Sequence, residues 1–276
     1  METFGARLRR AMDTWGPVCA GIDPHASLLG AWGLGDDPEG LERFSMTAVE
    51  AFAGEVAAVK PQSAFFERHG ARGVAVLERV LAACRDAGTL VVLDVKRGDI
   101  GSTAQAYADA YLDPSSPLCA DAVTASPFLG FGSLVPLLDT AERYGRGVFV
   151  LALTSNPEGT QVQGARAATG RTVAGEMLAA LADRNAGAQP LGSHGAVVGA
   201  TLGGTEEDLA INGPLLAPGF GAQGGSAETA RATFGASWDN VLVASSREIL
   251  AAGPDVGALR AAVRRTVAQV TGSSRL

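Results

Sequence analysis

The chain has 276 residues, 47% hydrophobic and 18% charged, with a formal net charge of −7. That balance suits a well-buried globular protein and argues against disorder. The negative charge offers no global basic field to nucleic acid or an anionic membrane, so any anion must be held by a local site.

The first seven residues lack an apolar signal core and no run approaches ~20 apolar residues, so the expectation is a soluble cytoplasmic protein. Residues 1–15 read as a helix, with Phe4, Leu8, Met12 and Trp15 at helical spacing. Strand one covers 18–22 and ends in Asp23-Pro24-His25. Asp37 is a candidate N-cap, with Pro38 at N1, for a helix carried by Leu41, Phe44, Val49, Phe52 and Val56. Strand two, 57–59, ends in Lys60-Pro61-Gln62, and a helix with Val74, Leu77, Leu81 and Cys84 on one face stops at Gly88. Strand three is 90–93, followed by a helix over 104–112; strand four is 121–124, followed by a helix over 134–144 with Pro136 in its first turn. Strand five is 148–153. A polar, Gly-rich stretch over 158–170 precedes a helix at 172–186. Strand six is 196–200, and Thr205 caps a short helix over 206–210. Strands seven and eight are 214–217 and 241–244, and a last helix over 256–270 ends in a polar tail from about 271.

Eight short apolar strands alternating with helices, without a linker, predict an α/β fold: a single (β/α)8 barrel spanning 1–276, with a doubly wound open sheet as the alternative. The scattered Cys19, Cys84 and Cys119 imply no disulfide framework, and His25, His69 and His194 show no metal-ligand spacing.

The chemistry concentrates at 90–103. A buried strand runs into Asp94, Lys96 and Asp99. Strand alternation points Asp94 and Lys96 the same way, while Asp99 lies beyond the strand end. Buried carboxylates and ammoniums must neutralise one another. Of the 22 Lys and Arg residues only Lys60 and Lys96 are lysines; Arg serves for a surface cation but not for a proton carrier. Barrel enzymes place catalytic groups at the carboxyl ends of strands and often bind phosphate after strands seven and eight. There the chain has Pro218 to Gly225, whose glycines let backbone N–H groups approach an anion, and then Ser246 and Arg247.

These residues together resemble orotidine 5′-phosphate decarboxylase: Asp94-x-Lys96-x-x-Asp99-Ile100-x-x-Thr103, Asp23, Lys60, the Pro218–Gln223–Gly225 loop and Arg247. The segments 60–67 and 124–130 resemble its longer bacterial subgroup. The resemblance implies decarboxylation of orotidine 5′-phosphate to UMP in de novo pyrimidine synthesis by a homodimer, with no metal and no organic cofactor. Lys60, Asp94 and Lys96 would come from one subunit, with Lys96 as proton donor, and Asp99, Ile100 and Thr103 would reach into the neighbour's site. Arg247, Ser246, Pro218, Gln223, Gly224 and Gly225 would hold the phosphate end. Asp23 and Thr103 would hold ribose hydroxyls, and Thr124 and Ser126 would read the pyrimidine edge. The nearest rival is a magnesium-dependent sugar-phosphate lyase of the same superfamily. Those relatives place an acid near the end of strand two, where this chain has Lys60. A non-catalytic nucleotide sensor is the other alternative, and it would not require Lys96.

Overall fold

The structure is a computed structural model that describes residues 1–221 and 224–272. Its strands are β1 Val18–Ile22, β2 Ala58–Pro61, β3 Leu90–Arg97, β4 Ala122–Ala125, β5 Gly147–Leu153, β6 His194–Val198, β7 Leu215–Pro218 and β8 Val241–Ser245. They pair in parallel in sequence order, and β8 closes onto β1. This is the (β/α)8 barrel expected from the alternation of elements. The helices around it include α1 Phe4–Trp15, α2 Ala26–Ala31, α3 Pro38–Phe52, α4 Ala64–Glu67, α5 Gly70–Asp86, α6 Gly101–Leu112 and α7 Val135–Arg143. They continue with α8 Thr160–Gln163, α9 Val173–Arg184, α10 Ala227–Phe234, α11 Arg247–Leu250 and α12 Val256–Thr271.

The strands are apolar throughout because both faces are covered. Cys19, Ala58, Val92, Ala122, Phe149, Val197, Leu216 and Leu242 fill the barrel interior, one from each strand. Phe4, Leu8 and Met12 of α1 close its lower end, with Phe4 edge-on to Phe149 at 6.0 Å between centroids. The opposite strand faces pack under the helices in a second, larger core. Each fully buried Leu or Phe contributes roughly 1.5–3 kcal/mol by transfer from water. The period of two then dictates the site. Two residues beyond Cys19, Ala58, Val92 and Ala122 the inward positions are Gly21, Lys60, Asp94 and Thr124, all at the upper, carboxyl-terminal end.

Several local expectations are corrected. The helix expected over 206–210 is absent. The Thr205 hydroxyl instead accepts from the Glu207 N–H at 3.1 Å, and Asp208 Oδ1 accepts from the Ala210 N–H at 2.9 Å. Side-chain turns of this kind compete with helix. Helix α10 is short and alanine-rich, with a weak periodic signal, and its Ser226–Thr229 capping box is the mark that sequence reading passed over. The 158–170 stretch is partly structured: α8 lies within it, and a backbone bridge joins Arg166 to Thr172. β6 begins at His194, β7 ends at Pro218, and β3 continues to Arg97. The polar tail from 273 lies outside the described residues. Among the described residues no helix is long and apolar enough to cross a membrane.

Candidate active site

At the upper end of the barrel a cavity of about 390 Å³ is lined by Asp23, Lys60, Asp94, Pro218, Ser246 and Arg247, together with Gly21, His25, Gln62, Gly219, Phe220, Ala244 and Ser245. Six residues singled out from the sequence thus meet on one surface. Oδ1 of Asp23 and the hydroxyls of Ser245 and Ser246 are buried there without a hydrogen-bond partner. Buried polar atoms are nearly always paired, so these three are groups a polar ligand would satisfy. Gly21 has no room for a side chain: a Cβ would stand 2.5 Å from Cβ of Ser246.

Asp94 is the centre of the charge arrangement. Its Oδ2 accepts from Lys60 Nζ at 2.9 Å and its Oδ1 from Lys96 Nζ at 2.5 Å. Burial pushes the Asp94 carboxyl up, but the charges of Lys60 and Lys96 outweigh it and hold the group down at about 2. Burial alone would lower the Lys60 pKa, yet Asp23 and then Asp94 outweigh it and raise it. Lys60 and Asp94 are therefore a charged pair in the barrel interior.

The meeting of Asp94 and Lys96 has a different cause from simple strand alternation. β3 pairs Leu93 with Val123 and Arg97 with Ala125, so the chain bulges between them. Lys96 takes a left-handed backbone, φ 45°, a conformation that costs a non-glycine residue roughly 1–2 kcal/mol. Thr124 of β4, expected at the pyrimidine edge, lies under this bulge, 1% exposed. Its hydroxyl donates to Asp94 Oδ1 at 2.8 Å.

The glycine-rich loop folds on itself. The Gly221 N–H donates to Gly225 O, the Gly224 N–H to Gly221 O and the Gly225 N–H to Gly219 O, at 2.9, 2.7 and 3.1 Å. These three amides are thereby engaged within the loop. Gln223 lies outside the described residues. Arg247 is exposed at the start of α11 and has no hydrogen-bond or ion-pair partner among the described residues, so its guanidinium is open toward the cavity it lines.

Among the described residues singled out from the sequence, Lys96, Thr124, Gly224, Gly225, Asp99, Ile100, Thr103 and Ser126 do not line this cavity, although Lys96 and Thr124 both bind Asp94, which does. Asp99 Oδ1 accepts from the Ile100 N–H at 2.8 Å at the start of α6, Ile100 is 62% exposed, and Thr103 is exposed in the first turn of α6. Ser126 lines a separate, largely apolar cavity of about 810 Å³ with Phe128, Phe131, Val162 and Met177. Asn156 caps the loop after β5, accepting from the Thr154 hydroxyl at 2.6 Å and donating to Glu158 at 3.0 Å.

Residues 16–262 match the model of the orotidine 5′-phosphate decarboxylase / HUMPS family. The chain belongs to this family. It is 64% identical over 278 residues to the orotidine 5′-phosphate decarboxylase of Salinispora arenicola, covering 99% of this chain and all of the relative. It is 61% identical to that of Streptomyces coelicolor, covering 98% of each. The crystal structure of a candidate orotidine 5′-phosphate decarboxylase from Streptomyces avermitilis superposes with a TM-score of 0.96 at 60% identity, covering 99% of this chain and 96% of that one.

Within this decarboxylase-family barrel, His25, Gln62 and Ser245 are cavity residues that sequence reasoning did not assign to the site. His25 and Ser245 carried a signal, because each stands at the carboxyl end of a barrel strand. His25 is held by its ring against Phe65, at 4.2 Å between centroids.

Proposed function

We propose that the chain is a carboxy-lyase that converts orotidine 5′-phosphate to UMP and CO2 in pyrimidine biosynthesis, with Lys96 as proton donor and without a metal or organic cofactor. The reaction is the one named for its curated relatives. The observation that carries the mechanistic reading is Asp94 bound on both sides, by Lys60 and by Lys96, at the edge of a cavity that ends in Arg247.

Breaking the C6–carboxylate bond leaves its electron pair on C6, with little resonance relief. An ammonium fixed beside C6 offsets that charge as it develops and then gives it a proton, so the products are UMP, CO2 and a neutral lysine that regains its proton from solvent. Lys96 is the candidate: its side chain is 44% exposed, against 9% for Lys60. Lys60 balances Asp94 from within the barrel, and Asp94 holds Lys96 in place. The phosphate would lie toward Arg247 and the Gly219–Gly225 loop, and a ribose hydroxyl would satisfy Asp23. Binding energy from that distant phosphate would help hold a closed, dry site.

The working unit in this reading is a cytoplasmic homodimer. Asp99, Ile100 and Thr103 lie outside their own chain's cavity and would complete that of the partner. The exposed apolar side chains of Ile100 and of Phe128 and Leu129, at 62%, 75% and 52% exposure, support burial of this edge against a second copy.

The test is ultraviolet absorbance of orotidine 5′-phosphate with the purified protein in excess EDTA. Wild type is expected to convert the spectrum to that of UMP, and Lys96→Ala is expected to leave it unchanged while remaining folded. Turnover only with added magnesium would overturn the metal-free reading. Near-normal turnover by Lys96→Ala would overturn the proton donor.

A further inference from the structure

We infer that Thr124 is a positioning residue that holds the Asp94–Lys96 pair in its reactive geometry, rather than a group that reads the substrate. The inference rests on the decarboxylase reading and deepens it.

The register of β3 against β4 is the starting point. Leu93 pairs with Val123 and Arg97 with Ala125, so four steps along β3 match two along β4. The surplus residues lose their regular ladder partners. The N–H groups of Val95 and Lys96 both donate to one atom, Oγ1 of Thr124, at 3.0 and 2.9 Å. That same hydroxyl donates its proton to Asp94 Oδ1 at 2.8 Å. A threonine hydroxyl has one proton to give and two lone pairs to receive with. All three positions are filled inside the chain, and the residue is 1% exposed, so no capacity remains for a pyrimidine.

The arrangement couples backbone to side chain. Lys96 reaches Asp94 Oδ1 from a left-handed backbone at φ 45°. Thr124 touches both ends of that reach: the Lys96 amide and the Asp94 oxygen that receives the Lys96 ammonium. Removing the hydroxyl frees the bulge and one bond on Oδ1 together, and Nζ loses its fixed place. Lys60 binds the other oxygen, Oδ2, and stays paired.

The test uses the full chain with Thr124→Val, which keeps the shape and removes the hydroxyl, and Thr124→Ser, which keeps the hydroxyl. In Thr124→Val, kcat is expected to fall roughly 10- to 100-fold, the range for losing a hydrogen bond to a charged group. UMP affinity should stay within about threefold, because ground-state binding is untouched. Thr124→Ser should restore most of kcat. A second readout needs no turnover. The chain has two lysines, so 15N-labelled lysine yields two ammonium signals. The Lys96 signal should move in Thr124→Val and return in Thr124→Ser, with Lys60 as the internal reference.

Unchanged kcat with an unmoved Lys96 signal would overturn the inference. So would weaker UMP binding at constant kcat, which is the mark of a substrate reader. If Thr124→Val does not fold, Thr124→Cys, which weakens all three bonds at similar volume, replaces it under the same criteria. If wild type proves inert toward orotidine 5′-phosphate, the decarboxylase reading fails, and the lysine signals still decide whether Thr124 holds Lys96.

Discussion

Lys60 Nζ stands 2.9 Å from Asp94 Oδ2, and the two side chains are only 9% and 8% exposed. Breaking a buried pair strands an unpaired charge, which costs about 3–5 kcal/mol. Lys60→Met leaves Asp94 held by Lys96 and Thr124, so it is expected to lower the unfolding free energy by less than that, about 1.5–3 kcal/mol for a lost charge-assisted bond, read from urea denaturation. Adding Asp94→Asn to it should recover part of the loss, since the carboxylate whose inner oxygen lost its cation is then gone. Strict additivity of the two changes would show that the pair is not coupled.

The same pair gives stability a pH signature. The Asp94 carboxyl is held at about 2 in the folded chain, against an ordinary value of 3.8. A lowered folded value means that the contribution is complete above 3.8 and is lost as pH falls toward 2. For Lys60 the sign is reversed: its folded value is raised above 10.5, so its contribution is complete below 10.5 and disappears as pH rises through the folded value. The stability gap between wild type and Asp94→Asn should be flat from neutral pH down to about 4 and then narrow. A gap that stays constant to about pH 2 would place its origin elsewhere.

Asp99 and Lys96 are close in sequence yet form no ion pair among the described residues, and Asp99 does not line its own chain's cavity. If the site is shared across a dimer, two inactive variants complement each other. Mixing Lys96→Ala with Asp99→Ala subunits should restore about a quarter of wild-type activity, because half the dimers are mixed and each mixed dimer has one intact site. No recovery, with subunit exchange demonstrated, would contradict the shared site.

Asp121 marks the opposite end of the barrel. Its Oδ1 meets Arg7 Nη1 at 2.5 Å and Arg146 Nη1 at 2.8 Å, and its Oδ2 accepts from the Val91 N–H at 3.0 Å. This ties α1, which plugs the barrel, to β3 and to the turn before β5. Asp121→Ala is expected to cost about 2 kcal/mol of stability, the scale of a lost charge-assisted hydrogen bond. It should leave kcat unchanged at temperatures where the variant is folded, a split that thermal denaturation and steady-state assays would show.

The strands, their order and the barrel were legible in the sequence because a parallel strand covered on both faces must be apolar throughout, and eight such runs alternate with amphipathic helices. Asp94, Lys60 and Asp23 were legible because each interrupts or ends one of those apolar runs, where an uncompensated charge would be too costly to keep. Arg247 was legible from its place after the last strand. Tertiary structure decided the rest. Alternation alone put Asp94 and Lys96 on one side, but their contact depends on a bulge and a left-handed residue, and register between β3 and β4 is a long-range property. Thr124 had the look of a substrate contact until β4 was set beside β3 and its hydroxyl proved to be fully used within the chain. Ser126, two residues on, would share the face of Thr124 in a continued strand, yet β4 ends at Ala125 and Ser126 opens onto another cavity. The helix at 206–210 failed for the converse reason: local side-chain turns satisfied the backbone before any helix could.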